Sequence, residues 1–254
     1  MNLKKISPLP LALLLAFSLQ AQKFPEHAEK EARNKGNAFL VNLLFGAHLP
    51  GGDLADRFGA DGNFGGGLEW ITKNNFLLGA EGHYLFGNEV KEDPLTILRT
   101  PEGHVIGNDQ FVATILLRER GYYIGGLLGK LFTVGQKRSG IRFTLGAGML
   151  YHKIRVLDDT QSVGALTGDY AKGYDRLTGG IALNQFIGWQ HLAANRRAIW
   201  FVGLEFNLGF TKNLRDWDFS EMRKIEGNRT ALRFGIRIGW TLPFYTGSEN
   251  ITYY

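Results

Sequence analysis

The sequence predicts an all-β fold, an eight-stranded up-and-down transmembrane antiparallel β-barrel. Eight segments alternate apolar residues with glycine or polar residues at a period of two, which is typical of strands with two unlike faces. The second face is rich in Gly, Asn, Thr, His, Glu and Arg, which indicates a polar lumen inside an apolar exterior. Short connections alternate with long ones, as in barrels whose turns all lie on one side of a membrane.

The first three strands are expected at 39–49, 64–70 and 76–86. In each of them one face is apolar and largely aromatic or leucine, while the other carries Gly, Asn, His or Glu. The segment 72–75 contains Lys-Asn-Asn and predicts a tight turn between the second and third strands.

The fourth, fifth and sixth strands are expected at 121–132, 141–152 and 177–190. The fifth alternates clearly, whereas the sixth has the weakest alternation of the eight. The preceding segment 111–120 is ambiguous, because its pattern fits either a strand extension above the membrane or a short loop helix.

The seventh and eighth strands, at 200–210 and 232–242, place large apolar residues on every even position. From 203 and from 233 onward, their odd positions carry Gly, Glu, Asn, Arg and Thr. This repeated contrast predicts a lipid-facing exterior and a narrow lumen filled by small and charged side chains.

The connections fall into two classes of length. Short ones are expected at 72–75, 133–139 and 192–197, and long ones at 50–63, 87–110, 157–175 and 211–229. If the chain enters from the periplasm, all short turns are periplasmic and all long loops are extracellular.

Four tryptophans are expected to form one aromatic girdle at the periplasmic strand ends. They are Trp70, Trp189, Trp200 and Trp240. At the opposite strand ends the sequence places Tyr84, Phe86, Tyr151 and Phe210. Such rings favour membrane interfaces, where the apolar ring and its polar group meet different surroundings. Trp217 is the exception, since it falls in the last long loop.

The N-terminus, residues 1–21, is typical of a secretory signal peptide. Lys4 and Lys5 form a basic segment, an apolar run covers 9–19, and Ala21 is a small residue before the cut. The alternative, an N-terminal membrane anchor, is less favoured because the apolar run is short for a span.

The mature chain then divides into three expected parts. Residues 22–37 form a polar periplasmic lead-in, residues 38–245 the outer-membrane barrel, and residues 246–254 a short periplasmic tail. We therefore expect the protein in the outer membrane of a Gram-negative cell, in contact with its lipid.

Composition excludes several other classes of protein. The 254 residues contain 34 glycines and no cysteine, so a disulfide scaffold, a thiol nucleophile and a zinc–thiolate site are excluded. The formal charge of +5 includes Lys4 and Lys5 of the expected signal, and the remaining surplus is too small to indicate a nucleic-acid partner.

Two stretches resemble known outer-membrane barrels. Residues 233–240, Arg-Phe-Gly-Ile-Arg-Ile-Gly-Trp, resemble the terminal-strand insertion signal of such barrels, although 14 residues follow it. Residues 51–59, Gly-Gly-Asp-Leu-Ala-Asp-Arg-Phe-Gly, and the signal end at 19–22 resemble Bacteroidota barrels of the OmpA-like β-barrel type. The first resemblance implies insertion by the barrel-assembly machinery. The second implies a small outer-membrane barrel, some relatives of which serve type IX secretion, gliding or surface assembly.

The predicted lumen contains a constellation of charges. Its members are Glu69, Glu81 and Glu205 with Arg142, Arg233 and Arg237, together with Lys130 as a further candidate and His83 and His152 nearby. Buried charges must be paired, because the desolvation of an unpaired ion costs on the order of several kcal/mol. We interpret the set as a structural salt-bridge plug, with a narrow gated proton or ion path as the alternative.

An enzyme needs a nucleophile and a base, and neither is evident. Ser139, Ser162, Ser220 and Ser248 fall in turns, loops or the tail, outside any nucleophile elbow. Asp158 and Asp159 could approach His152 at the extracellular rim, which leaves a hydrolase or acyl-modifying enzyme there as an alternative. No catalytic residue and no cofactor is predicted.

The first long loop suggests a calcium site only weakly. Asp53, Asp56, Asp61 and Asn63 supply oxygen ligands but lack the ligand order of a calcium loop. A solvated, glycine-rich loop is the preferred interpretation, and no metal is predicted.

The leading hypothesis is therefore a non-enzymatic structural or interaction protein of the outer membrane, possessing conspicuous loops and a plugged lumen. Protein partners are expected through loops 87–110, 157–175 and 211–229. An accessory role in protein secretion or surface assembly is the sharper version of this hypothesis.

Overall fold

The computed structural model describes residues 36–135, 138–192 and 199–246. The expected signal at 1–21, nearly all of the lead-in at 22–37 and nearly all of the tail at 246–254 lie outside these residues and stay predictions.

Eight strands of the described chain close into one antiparallel barrel, which confirms the predicted fold class. The barrel strands are β1 (Asn37–Gly52), β2 (Asp61–Ile71), β3 (Phe76–Gly87), β6 (Ile115–Thr133), β7 (Gly140–Asp158), β8 (Thr178–Leu192), β9 (Ile199–Asn213) and β10 (Asn228–Thr246). The order around the barrel is β1-β10-β9-β8-β7-β6-β3-β2, so barrel strands that follow one another in sequence are neighbours in space.

The remaining elements lie in the long connections. They are helix α1 (Asp53–Arg57), a small hairpin of β4 (Val105–Ile106) and β5 (Val112–Ala113), and 3₁₀ turns at Thr96–Leu98, Gly164–Leu166 and Gly168–Gly173. No helix among the described residues has the length and apolar character needed to span a membrane.

The strands are longer than the alternation alone predicted. β1 continues to Gly52 and β2 begins at Asp61, so the first long connection is shorter than 50–63 and contains α1. Pro50 is tolerated inside β1 because it has a strand neighbour on one side only. It pairs with β10, whereas the pairing of β1 with β2 stops at His48. The ambiguous segment 111–120 is mostly strand, since β6 begins at Ile115.

The seam between the first and last strands is fully paired. All sixteen residues of β1 are in register with β10, from Asn37 opposite Thr246 to Gly52 opposite Ala231. The termini of the barrel therefore meet at the end that carries the short turns, which we call the short-turn end. The opposite end, where all long connections lie, is the long-loop end.

Apolar side chains cover the outside of the barrel. On β7 the outward residues run from Ile141 to Tyr151 through Phe143, Leu145 and Met149. At about 3.4 Å per residue and a tilt of about 40°, this run is about 25 Å high.

The inside of the barrel is filled rather than open. Glycine gives bulky inner side chains room to lie against the wall beside them: a Cβ added at Gly239 would lie 2.1 Å from the ring of Phe201, its register partner on the neighbouring strand. The same holds for Gly125, where an added Cβ would meet the Tyr123 hydroxyl at 2.3 Å. Inward glycines thus leave the space that the large inner side chains occupy.

Candidate functional site

The centre of the lumen holds an arginine between two glutamates on three different strands. The Arg237 guanidinium donates to Glu81 Oε2 at 3.0 Å and to Glu205 Oε2 at 3.0 Å, and all three side chains are buried. Asn184 Nδ2 donates to Oε1 of both glutamates, at 2.9 Å each. The two carboxylates are therefore held by one charge and one amide.

A second arginine pair lies nearer the short-turn end. Arg142 Nη2 donates to Glu69 Oε1 at 2.6 Å, and its Nη1 donates to Gln190 Oε1 at 2.8 Å. Asn42 Nδ2 adds a hydrogen bond of 2.7 Å to the same Glu69 oxygen. The guanidinium also lies 4.4 Å from the ring centre of Phe201, a cation–π contact inside the lumen.

A third pair, nearer the long-loop end, involves two residues absent from the predicted network. Arg233 binds Asp61, and its Nη2 lies 3.2 Å from His48 Nδ1. His48 Nε2 lies 2.9 Å from Glu205 Oε2. Because Arg233 can only donate, Nδ1 accepts, and the tautomer that follows donates from Nε2 to Glu205. His48 thereby joins the third pair to the central one.

The six charged residues predicted for the lumen all lie there, but not as one cluster. Glu81, Glu205 and Arg237 meet, Glu69 meets Arg142, and Arg233 pairs instead with Asp61. The placement of Asp61 in a solvated first loop was wrong, because β2 begins with this residue. The sequence contained a signal for this placement, because Asp61 has the same parity as the inward polar and glycine positions of β2.

The inclusion of Lys130 as a lumen candidate was wrong. Its Nζ lies 4.6 Å from the ring centre of Phe76 and 5.7 Å from that of Phe132, both of which are exposed on the exterior. Lys130 is an even residue of β6, whose even positions point outward with Ile124 and Leu128.

Two histidines of the lumen have different surroundings. His83 Nδ1 lies 3.3 Å from Asn63 Nδ2, and its Nε2 lies 3.5 Å from Glu81. His152 is buried against the edge of Phe58, with ring centres 5.7 Å apart, and neither ring nitrogen has a hydrogen-bond partner among the described residues. The inner carboxyl of Glu119, completely buried on β6, is likewise without a described hydrogen-bond partner.

Apolar layers cover the charged interior at both ends. The layer at the short-turn end comprises Ala38, Leu40, Ile71, Leu77, Leu131, Leu192 and Ile199. The layer at the long-loop end is partly supplied by the first connection, because Leu54 of α1 and Phe58 fold inward onto barrel residues. The lumen network is thus separated from both rims by packed side chains.

A second charged cluster, which we call the latch, lies above this layer and consists of Arg57, Glu92, Arg176 and Asp218. Arg57 Nε donates to Glu92 Oε2 at 2.5 Å, and Arg176 binds the other Glu92 oxygen. Arg176 Nε also lies 3.2 Å from Asp218 Oδ2. Burial lowers the pKa of the Arg57 guanidinium, and the Glu92 carboxylate opposes that effect.

The latch joins all four long connections. Arg57 ends α1, while Glu92, Arg176 and Asp218 each come from a different one of the other three connections. A neighbouring contact joins the third and fourth of these connections: Asp175 accepts from Arg215 Nε at 2.8 Å and Nη2 at 2.5 Å. This carboxylate raises the pKa of Arg215. The loops are therefore a mutually braced platform.

The structure does not assemble the hydrolytic group considered at the rim. Asp158 accepts from the Val163 backbone N–H at 2.8 Å and from Thr160 at 3.0 Å, so it shapes its own loop rather than approaching His152. Asp159 is exposed.

The serines with described contacts have structural partners, and Ser162 Oγ accepts from Thr160 Oγ1 at 3.1 Å within its own loop. Ser220 Oγ donates to Asp218 at 2.5 Å and accepts from Arg176 at 2.7 Å, within the latch. Ser139 Oγ lies 3.3 Å from His191 Nδ1 and accepts the Leu192 N–H. Both hydroxyls therefore join backbone or charged groups at strand ends and loops.

The candidate calcium ligands diverge. Asp53 accepts the Thr230 backbone N–H at 2.7 Å, whereas Asp61 and Asn63 point into the lumen. Among the described residues, no three His, Asp or Glu side chains are grouped so that they could hold a metal ion.

The four tryptophans predicted for the girdle lie outward at the short-turn end, each about two-fifths exposed. Trp240 is in register with Trp200 on the neighbouring strand, and Trp70 stacks on Phe39 with ring centres 6.4 Å apart. Trp189 completes the set. At the other end Tyr122 stacks on Tyr151 at 4.8 Å.

Comparisons with known proteins give distant structural matches. No protein-family model and no curated protein sequence matches the chain. Neisserial surface protein A matches with 12% identity and a TM-score of 0.45, covering 82% of this chain and 99% of that one. The attachment invasion locus protein Ail of Yersinia pestis gives 8% and 0.40, covering 81% and 98%.

The outer membrane protein AlkL gives 11% identity and a TM-score of 0.40, covering 91% of this chain and 100% of that one. With scores below 0.5, these matches are remote, and no function of this chain is taken from them.

Proposed function

We propose that this protein is a non-enzymatic integral barrel of the bacterial outer membrane that presents a braced loop platform to a partner outside the cell. The observation that carries the proposal is the contrast between its two surfaces. The exterior is apolar over about 25 Å, which matches the apolar band of about 25 Å in outer-membrane barrels. The interior is occupied by paired charges.

The closed sheet supports the membrane location. Every strand of the barrel has two hydrogen-bonded neighbours, so the sheet has no free edge to expose to hydrocarbon. The aromatic residues at both rims fit the two interfaces of a bilayer. In this orientation the short turns and both ends of the barrel domain face the periplasm, and the long loops face outward.

The finer parts of the proposal come from sequence. Residues 1–21 act as a cleaved signal peptide, 22–37 are a periplasmic lead-in and 246–254 a periplasmic tail. The segment 233–240 is read by the barrel-assembly machinery during insertion. A role as an accessory of protein secretion or surface assembly is supported by the resemblance of 51–59 to Bacteroidota barrels.

The filled lumen supports interaction rather than transport. Arg237 and Arg142 reach carboxylates three strands away, Arg233 binds a carboxylate two strands away, and packed apolar layers lie above and below them. A narrow gated channel would require these ion pairs to separate in a desolvated space, which is costly. The protein is therefore expected to be silent in a planar bilayer.

The platform carries exposed apolar side chains suited to a protein partner. Phe111 is 73% exposed and Val112 57% exposed on the β4–β5 hairpin, and Trp217 is 49% exposed in the last loop. Large exposed apolar groups on a braced surface are typical of interaction sites.

The test removes this surface without disturbing the latch. Deleting 87–110 as a whole would also remove Glu92 and so disconnect the loops. We expect the double substitution Phe111→Ser with Val112→Ser to reduce stoichiometric co-purification of the partner from native outer membranes by at least tenfold. The matched control is Tyr170→Ser, an exposed aromatic of another loop.

Two results would oppose the proposal. Co-purification unchanged in the double variant would remove the hairpin as the partner surface. Stepwise conductance from the wild-type protein would indicate the channel instead, particularly if Arg237→Ala altered it.

A further inference from the structure

Four cations lie together on the outside of the barrel, immediately beyond the apolar belt at the long-loop end. They are Arg118 and Arg120 of β6 and Lys153 and Arg155 of β7, which we call the basic patch. Register places Arg118 directly opposite Arg155, and Arg120 directly opposite Lys153. Their positions share the outward face of Tyr122 and Tyr151.

This arrangement is unfavourable unless an anion is present. Residues directly opposite on antiparallel strands have Cβ atoms about 5 Å apart, and like charges there destabilise a sheet. Arg118 and Arg155 make no ion pair or side-chain hydrogen bond with any residue that the structure describes. Two unneutralised guanidinium groups therefore stand side by side.

The other two cations are only partly neutralised. Arg120 donates to the backbone carbonyls of Glu119 and Gly87, which carry no net charge. Lys153 Nζ lies 3.4 Å from Asp175 Oδ2, but Arg215 already binds both oxygens of that carboxylate. The patch thus presents a surplus of positive charge along two adjacent strands.

The height of the patch on the barrel identifies its surroundings. Arg120 and Lys153 lie two residues beyond the stacked tyrosines towards the long-loop end, and Arg118 and Arg155 lie four residues beyond them. With about 3.4 Å per residue and a tilt of about 40°, the two pairs lie about 5 Å and about 10 Å beyond the tyrosine girdle. That is the depth of lipid headgroups rather than of hydrocarbon or bulk water.

We propose that the basic patch binds the phosphate groups of an anionic lipid in the outer leaflet. Paired guanidinium groups match phosphate oxygens in geometry and charge, and each contact is a charge-assisted hydrogen bond. The acyl chains of the same lipid would lie along the apolar face below, past Tyr122, Ile124 and Met149. This inference rests on the membrane location proposed above.

The test compares two double variants of equal charge change. In Arg118→Gln with Arg155→Gln the outer pair of the patch is lost, the pair without any described side-chain partner. In the control, Lys212→Gln with Lys224→Gln, two exposed lysines of β9 and the last loop are lost. Both variants are first checked for a heat-dependent shift on a denaturing gel, which reports the folded barrel independently of lipid binding.

The full mature chain in neutral detergent is titrated with diphosphoryl lipid A, and lipid adducts are counted by native mass spectrometry. We expect the patch variant to bind at least fivefold more weakly than wild type, and the control within twofold. Lipid A stripped of its phosphates should bind wild type and patch variant alike.

Three results would overturn the inference. Equal weakening in both double variants would indicate a general charge effect. Equal binding of phosphorylated and dephosphorylated lipid would show that phosphate is not recognised. If inositol hexakisphosphate, which has no acyl chains, displaced the lipid at equal concentration, the partner would be a soluble polyanion. Failure of the wild-type protein to insert into lipid would instead oppose the membrane location itself.

Discussion

The lumen network and the latch both contain an arginine bound to two carboxylates, but strands hold these residues in the lumen and loops hold them in the latch. In the lumen, Arg237 binds Glu81 and Glu205 from three strands, and Glu205 is completely buried. In the latch, Arg176 binds Glu92 and Asp218 from three loops, and the Glu92 side chain is 23% exposed. Strand register alone positions the first set, whereas the loops of the second position one another.

The comparison shows that an arginine–carboxylate pair can have two roles, which depend on its burial and on the rigidity of the backbone that holds it. A pair in the lumen supports the whole barrel, whereas a pair in the latch supports the loops. A charge in the lumen has no solvent to replace a missing partner, so its loss destabilises the whole barrel. A charge in the latch can regain water when the loops part, so its loss acts locally. Four substitutions, from the largest expected effect to the smallest, can break or sharpen this contrast.

Arg237→Met should have the largest effect. It leaves Glu81 and Glu205 buried without their cation, and removal of one partner from a buried pair costs about 3–5 kcal/mol. Urea unfolding in detergent, followed by tryptophan fluorescence, measures the change. Lys212→Met is the control on the exterior. Equal urea midpoints for these two variants would contradict the role of the network. Adding Glu81→Gln and Glu205→Gln to Arg237→Met should recover stability, because no unpaired carboxylate then remains buried.

Gly239→Ala tests the packing of the lumen without altering charge. The new methyl group would lie 2.1 Å from the Phe201 ring, and overpacking of this kind costs about 1–3 kcal/mol. The same urea titration measures it. Gly126→Ala is the matched control, because its nearest atom would be 3.7 Å away. A loss of stability in the control as large as that in Gly239→Ala would attribute the effect to glycine itself.

Glu92→Gln should open the latch while leaving the barrel intact. Arg57 and Arg176 both lose their shared carboxylate, and a hydrogen bond to a charged group contributes about 1.5 kcal/mol or more. Loops that open about tenfold more often should be cleaved about tenfold faster in limited proteolysis. Glu89→Gln, an exposed neighbour in the same connection, is the control. A large shift of the urea midpoint without faster cleavage would mean that the latch belongs to the barrel core.

Asp169→Asn should have the smallest effect. Asp169 pairs with Lys172 at 2.5 Å, and that lysine lowers the pKa of the carboxyl, yet the aspartate side chain is 89% exposed. Exposed pairs of this kind contribute little because water and salt screen them. Neither the urea midpoint nor the cleavage rate should change. A shift as large as that of Glu92→Gln would show that exposure does not separate the two classes.

The sequence predicted the strands and the inward residues because a strand has a period of two. Glu69, Glu205 and Arg237 could be assigned to the lumen from parity alone, and the fold class followed from the same pattern. Parity also excludes Lys130, which lies at an outward position of β6, once the bounds of that strand are known. The pairing partners were not predictable, since they depend on register across strands distant in sequence.

The strand ends and the loops show no clear period of two, so inward and clustered residues there were not predicted. Glu119 was missed because the start of β6 could not be placed, and Asp61 because β2 begins earlier than expected. The latch residues Arg57, Glu92 and Arg176 come from three separate connections, so only the folded barrel brings them together. The sequence alone does not show which charged residues of different loops lie close together.

The sixteen-residue seam between β1 and β10 couples closure of the barrel to neutralisation of its interior. Arg233 and Arg237, the partners of Asp61, Glu81 and Glu205, both belong to the last strand of the chain. In a sheet in which β1 and β10 are not yet paired, the carboxylates of β2 and β3 lack these cations. Closing the ring and neutralising the interior are therefore coupled, because both depend on the pairing of β1 with β10.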